Sequence, residues 1–156
     1  MANVHDVAAY IISRSGNMST MKLQKLCYYS QGWHLAWEGK PLFGADIEAW
    51  RLGPVVRSLY SHHRRRVSVD VWPQGDGSKL NPVERSVIDD VLLTYGGMSG
   101  LQLSELTHQE RPWLKARGKA RPSDSSSEVI PVSDIKEHFV EIAAQENGND
   151  ELLNWL

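Results

Sequence analysis

Apolar side chains recur along residues 4 to 14 at Val4, Val7, Ala8 and Ile11, with Ile12 beside them, the i, i+3, i+4, i+7 spacing of a helix with one buried face. Gly16 and Asn17 stop it. Ser19 or Thr20 then offers an oxygen to the first free N–H groups of a second helix, whose positions Leu23, Leu26, Cys27, Ser30, Trp33 and Trp37 keep the same period until Gly39 and Pro41. That period predicts one core face and leaves Tyr28, Tyr29 and His34 on an aromatic rim. Residues 45 to 51 alternate weakly, with Ile47, Ala49 and Arg51 on one side and Asp46, Glu48 and Trp50 on the other, which predicts a short strand. Gly53 and Pro54 read as the opening of a short helix carrying Val55, Val56, Leu59 and Tyr60, because proline loses nothing in a first helical turn. In "VSVDVW" (67 to 72) Val67, Val69 and Val71 alternate with polar residues and predict a second strand paired with the first.

From Asn81 the pattern is helical again: Asn81, Pro82 and Glu84 make a capping box, followed by Val83, Val87, Ile88, Val91, Leu92 and Tyr95 on one face and by Gly96 and Gly97 at the end. A helix over residues 100 to 107, a break at "THQERP" and a further turn from Pro112 come next. "PVSDIKEHFVEIAAQE" has Ser133 as cap and Ile135, Phe139 and Ile142 as its buried stripe. "PSDSSSE" reads as an exposed loop within a flexible connector at 118 to 128, and residues 147 to 156 as a tail that frays or docks through Leu152, Leu153, Trp155 and Leu156. The expectation is one α+β domain over residues 1 to 156, predominantly α-helical, with a small antiparallel sheet packed on the helix of residues 20 to 38.

Composition narrows the classes. A chain of 156 residues, 41% hydrophobic and 23% charged, suits an ordinary globular protein able to bury a core without staples. No apolar run approaches the ~20 residues of a membrane span, and the N-terminus lacks a secretion signal, so the expected place is the cytoplasm. The single cysteine, Cys27, excludes an internal disulfide and multi-cysteine zinc motifs. A net charge of −2 gives no general attraction to nucleic acid or to anionic membrane.

The candidate chemistry is sparse. Cys27 sits on an apolar face and reads as a packed thiol. His34 and Glu38, one turn apart, lack a second metal-binding motif and read as a surface or groove pair. His108-x-Glu110 is the first half of the zinc-deaminase pattern, but the downstream Pro-Cys-x-x-Cys is absent; the remaining reading has His108 and Glu110 bonding the backbone at a helix break over Trp113. "HHRRR" (62 to 66), extended by Arg57 and Arg51, is either a contact for phosphate or an acidic protein surface, or a solvated helix end. No phosphate loop, nucleophile elbow or carboxylate pair is present, so no catalytic residue, cofactor or metal is expected.

Four collinear blocks, "MKLQKLCYYSQGWHLAWEGKPLF", "DIEAWRLGPVVRSLY", "LSELTHQERPWLKAR" and "IPVSDIKEHF", resemble the Panacea domain, the SocA-like family of antitoxins and phage-associated proteins, over roughly residues 4 to 140. The resemblance implies a bacterial or prophage protein of the cytoplasm that neutralises a toxin encoded beside it by direct binding, with no enzyme activity. The shared positions match Lys22, Leu23, Gln24, Lys25, Gly32, Trp33, Glu48, Trp50, Gly53, Pro54, Val55, Thr107, His108, Trp113 and Arg117 here, and together with His34 and Glu110 they suit a scaffold with one polar groove. This chain departs from the family pattern at His62 to Arg66, where an aromatic and acidic stretch is usual, and no added N-terminal DNA-binding domain is expected. The expected partner is therefore a cognate toxin protein, met through Lys22, Lys25, Tyr28, Glu48, Arg51, Arg57, Arg64, Arg65 and Arg66; a homo-oligomer stays open, while membrane, and nucleic acid without a second protein, are not expected. A proteolytic adaptor or transcriptional regulator, and an uncharacterised hydrolase using His34, Glu48 or His108, are the alternative functions.

Overall fold

The first helix forms where the spacing places it: in the computed structural model α1 runs Val4–Ser15, the Asn3 side chain accepts from the His5 amide at 2.9 Å, and Gly16 ends it with φ of 79°. The structure describes the backbone of residues 1–155 and the side chains of residues 1–147. The expected docking of Leu152, Leu153, Trp155 and Leu156 lies outside the described side chains.

Helix α2, Thr20–Glu38, is the centre of the molecule, with Ser19 as N-cap and Gly39 in the left-handed region as C-cap. Every residue from Leu23 to Leu35 is buried. The expected aromatic rim is therefore corrected: Tyr28, Tyr29 and His34 are enclosed, while Trp37, expected inside, is 45% exposed and lies stacked on Trp33 at 4.9 Å. The period of apolar residues marks only one face, but the polar side chains of the opposite face are buried as well because other elements give them partners. α2 packs against α1, α4 (Pro82–Tyr95), α5 (Gly100–Thr107) and α7 (Val132–Trp155). The approach of α7 is close: Gly32 lies under the Phe139 ring, and any β-carbon at position 32 would overlap that ring.

Two small antiparallel pairs complete the fold. β1 (Met18–Ser19) pairs with β4 (Ser68–Val69), and β2 (Ile47–Trp50) pairs with β3 (Gly53–Val56) through a turn of Arg51 and Leu52, in the register Ile47↔Val56 and Trp50↔Gly53. The sequence expectation is corrected here. Gly53 and Pro54 belong to a strand, and the helix begins later, as α3 (Arg57–His63). Pro54 is admitted because the hairpin alternation turns its missing N–H away from β2. Residues 67 to 72 do not pair with β2; Val67 and Val71 are 84% and 59% exposed, and of the three valines only Val69 is buried. The outer edge of β2 is taken by residues 128–130 instead, with Ala49 N–H donating to the Glu128 carbonyl at 2.8 Å and Ile130 N–H to the Ile47 carbonyl at 2.7 Å.

The later helices follow their signals closely. Asn81 and Glu84 close the capping box of α4 with two 2.8 Å bonds, although Val83 points to solvent, and Ser99 and Gln102 make a second box before α5. α6 spans Arg111–Arg117 with Pro112 in its first turn. Ser133 lies inside α7 and does not cap it, and Ile135 and Phe139 form its buried stripe. No helix among the described residues is long and apolar enough to cross a membrane.

Candidate functional site

The free edge of β3 is closed by side chains of α2. Gln24 Oε1 accepts from Val56 N–H at 2.8 Å and its Nε2 donates to the Val56 carbonyl at 3.2 Å, which fixes the orientation of the amide. Its remaining N–H then meets His63 Nε2 at 2.9 Å, so His63 must accept there as a neutral ring, and burial lowers its pKa in agreement. One residue on, Lys25 Nζ donates to the Pro54 carbonyl at 3.1 Å. Burial alone draws the Lys25 pKa down to about 7. Gly53 makes this contact possible: its φ is 115°, and a β-carbon there would stand 2.5 Å from Lys25 Cε and 2.7 Å from Thr107 Oγ1.

On β2, Glu48 holds a second network. Arg57 donates from Nε and Nη2 to the two carboxylate oxygens at 2.8 Å each, and Trp50 Nε1 adds a third bond at 2.8 Å. The Arg57 bonds hold the Glu48 pKa below its ordinary value. Arg57 also lies over the Trp50 ring at 5.3 Å, and Tyr60 meets that ring edge-on at 4.7 Å. Behind the hairpin, Trp113 Nε1 donates to the Trp50 carbonyl at 2.7 Å, and His108 stacks on Trp113 at 4.3 Å. Arg117 ties residues 121 to 124 down, its Nη2 donating to the carbonyls of Arg121 and Asp124 at 2.8 Å each.

These elements enclose a groove of about 640 Å³ lined by Thr20, Met21, Gln24, Lys25, Trp50, Arg51, Leu52, Val55, Arg57, Tyr60, His63 and Ser125 to Ser127. Of the expected contact residues it collects Lys25, Arg51 and Arg57. Tyr28 is corrected out of any contact surface, being fully enclosed. Lys22 lies half-buried and donates to the Gly96 carbonyl at 2.6 Å. Arg64, Arg65 and Arg66 are exposed just past α3, where Thr20 Oγ1 reaches the Arg66 carbonyl at 3.2 Å and so joins the basic stretch to the groove's end.

Two further expectations are corrected and a third holds. His34 does not pair with Glu38; it is buried, with Nδ1 2.7 Å from the Lys40 carbonyl, while Glu38 is exposed. The Glu110 side chain does not bond the backbone: it accepts from Tyr29 Oη at 3.1 Å and lies 3.7 Å from His138 Nε2. Cys27 is the packed thiol expected, its pKa pushed up to about 12 by burial. Sequence reasoning held His63 only as part of the basic stretch 62 to 66, without its bond to Gln24, and missed the groove roles of Leu52 and the three serines; "PSDSSSE" marked a loop but nothing local told which surface it covers.

The SocA-like antitoxin family, Panacea domain, matches residues 23–114, more than half of the 156. The chain belongs to this family. Within the matched span of this Panacea domain lie Gln24, Lys25, the β2–β3 hairpin and Trp113, the residues that build and brace the groove. "Antitoxin SocA" of Caulobacter vibrioides (strain NA1000 / CB15N) is 31% identical over 109 residues, covering 62% of this chain and 58% of that protein, so the likeness spans less than two thirds of the relative's length. No solved structure matches.

Proposed function

We propose that this chain is an antitoxin that neutralises a toxin encoded next to it by direct protein binding, acting as a binding protein without turnover. The observation that carries the reading is the coincidence of the family span with the groove: the matched residues 23–114 supply Gln24, Lys25, Trp50, Arg51, Leu52, Val55, Arg57, Tyr60 and His63 of the groove lining. Arginine and aromatic side chains on a rim are the usual anchors of protein interfaces. The contact surface is the groove rim at Arg51 and Arg57, continued by Arg64, Arg65 and Arg66, with Glu48 holding Arg57 in place. Lys22 and Tyr28 serve the scaffold in this reading.

Co-expression of the chain with the product of the adjacent reading frame tests it. The expected result is growth restored in cells that the neighbour alone arrests, with a complex that co-purifies. Restored growth without a complex, accompanied by loss of the neighbour only when a protease is present, would replace direct neutralisation with an adaptor role.

A further inference from the structure

Lys25 brings an amine with no counter-ion among the described residues to the place where the groove meets the core. It is 1% exposed, has three protons to donate, and meets one acceptor among the described residues, the Pro54 carbonyl at 3.1 Å. A buried ammonium so poorly matched is unstable as a charge, and its pKa of about 7 reflects this. Arg51 and Arg57 line the same groove, and no aspartate or glutamate is among the described lining residues. Glu48 already answers Arg57, which leaves Lys25 and Arg51 without a carboxylate among the described residues.

We propose that the groove receives an extended acidic segment of the partner protein, one carboxylate of which seats against the Lys25 ammonium while its neighbours lie on Met21, Leu52 and Val55. The proposal rests on the antitoxin reading and names the chemistry of the segment that the partner offers. A carboxylate supplies acceptors for the two N–H groups that Pro54 leaves free. Strand addition is not the mode, since Gln24 and Lys25 already close the β3 edge. A nucleic-acid strand fits less well: it needs a row of free cations, whereas Arg57 is engaged, apolar side chains interrupt the lining, and the chain carries a net charge of −2. The titratable groups facing Lys25 are His63 of α3 and His108 at the end of α5, both drawn below the ordinary imidazole value chiefly by burial, with Arg51 and the Arg57–Glu48 pair also at the groove. An incoming carboxylate raises the Lys25 pKa, so binding at about pH 8 takes up a proton.

The test titrates the full chain at about pH 8 with a decaglutamate peptide, with inorganic phosphate and with decathymidylate, by calorimetry in buffers of different ionisation heat and by amide NMR. The peptide is expected to move the Trp50 indole and Gln24 amide signals, to leave the Trp33 indole in place, and to take up about one proton. Arg51→Glu, an exposed change that spares the core, and Lys25→Met each weaken it about tenfold or more, and Lys25→Met removes the proton uptake in a chain whose NMR spectrum stays folded. Absence of groove shifts, an equal response to phosphate or decathymidylate, or unchanged binding in Arg51→Glu overturns the proposal. The antitoxin reading fails separately: a chain that takes decaglutamate but not the neighbour's product keeps the groove and loses that reading. A neighbour's product bound but not displaced by decaglutamate does the reverse.

Discussion

The side-chain amide of Gln24 pairs with the main chain of Val56 as a neighbouring strand would, accepting its N–H at 2.8 Å and donating to its carbonyl at 3.2 Å. Gln24→Leu keeps the volume and removes both bonds, leaving the Val56 groups and His63 buried without partners. The expected loss is about 3 kcal/mol, because each unsatisfied buried group costs roughly 1–3 kcal/mol. Urea denaturation reads it; an unchanged midpoint would show that water or a shifted side chain satisfies the β3 edge.

Gly32→Ala places a methyl group inside the Phe139 ring that α7 lays on α2. Overpacking of this kind costs roughly 1–3 kcal/mol. Thermal melts are expected to fall accordingly, and Phe139→Leu, which makes room, to recover part of the loss in the double variant. Simple addition of the two losses would count against a direct contact.

Trp113 is 6% exposed, bonded to the Trp50 carbonyl and stacked under His108. Trp113→Ala is expected to cost roughly 3–5 kcal/mol, so any loss of toxin neutralisation follows from unfolding. A variant that melted like the parent yet failed to bind would move Trp113 from the scaffold to the interface.

The buried Lys25 makes stability depend on pH with a definite sign. Its pKa of about 7 lies below the ordinary 10.5 of the unfolded chain, so between those values the unfolded state holds a proton that the folded state lacks, and stability rises with pH. Cys27, pushed up to about 12 from 9.0, offsets that rise above about pH 9 as the unfolded thiol ionises, so the curve levels off there and turns down only above the ordinary lysine value of 10.5. From about pH 7 to 9 the unfolding free energy is therefore expected to climb by at most about 1.4 kcal/mol per pH unit, and Lys25→Met to flatten the climb. Equal slopes in both proteins would show Lys25 charged in the fold.

Charge reversal at Arg64, Arg65 and Arg66 touches exposed side chains past α3. Folding should stay within about 0.5 kcal/mol per site, while stopped-flow association with an acidic toxin slows and loses its salt dependence. Unchanged association at low salt, with folding intact, would leave these residues a solvated helix end.

Helix positions were legible along the chain because caps and apolar periods act within a few residues: Gly16, Ser19, Gly39 and the Asn81–Glu84 box mark ends the structure shows. The family blocks were legible for the same reason, as contiguous stretches. Strand pairing was not. β3 looked like a helix start because Gly-Pro suits a first helical turn, and only the β2 register and the Gln24 amide make it a strand. The family positions led to the expectation of a polar groove, but its full lining was not legible, for a related reason: Lys25, Arg51, His63 and Ser125 to Ser127 stand far apart in sequence and meet only after folding. Local composition dictates which segments form helices, because those hydrogen bonds close within four residues. Which polar side chains are buried, and hence that the Lys25 amine lies beneath the groove with the Pro54 carbonyl as its acceptor, depends on partners that only the packing of α3, α5 and the hairpin on α2 brings into reach.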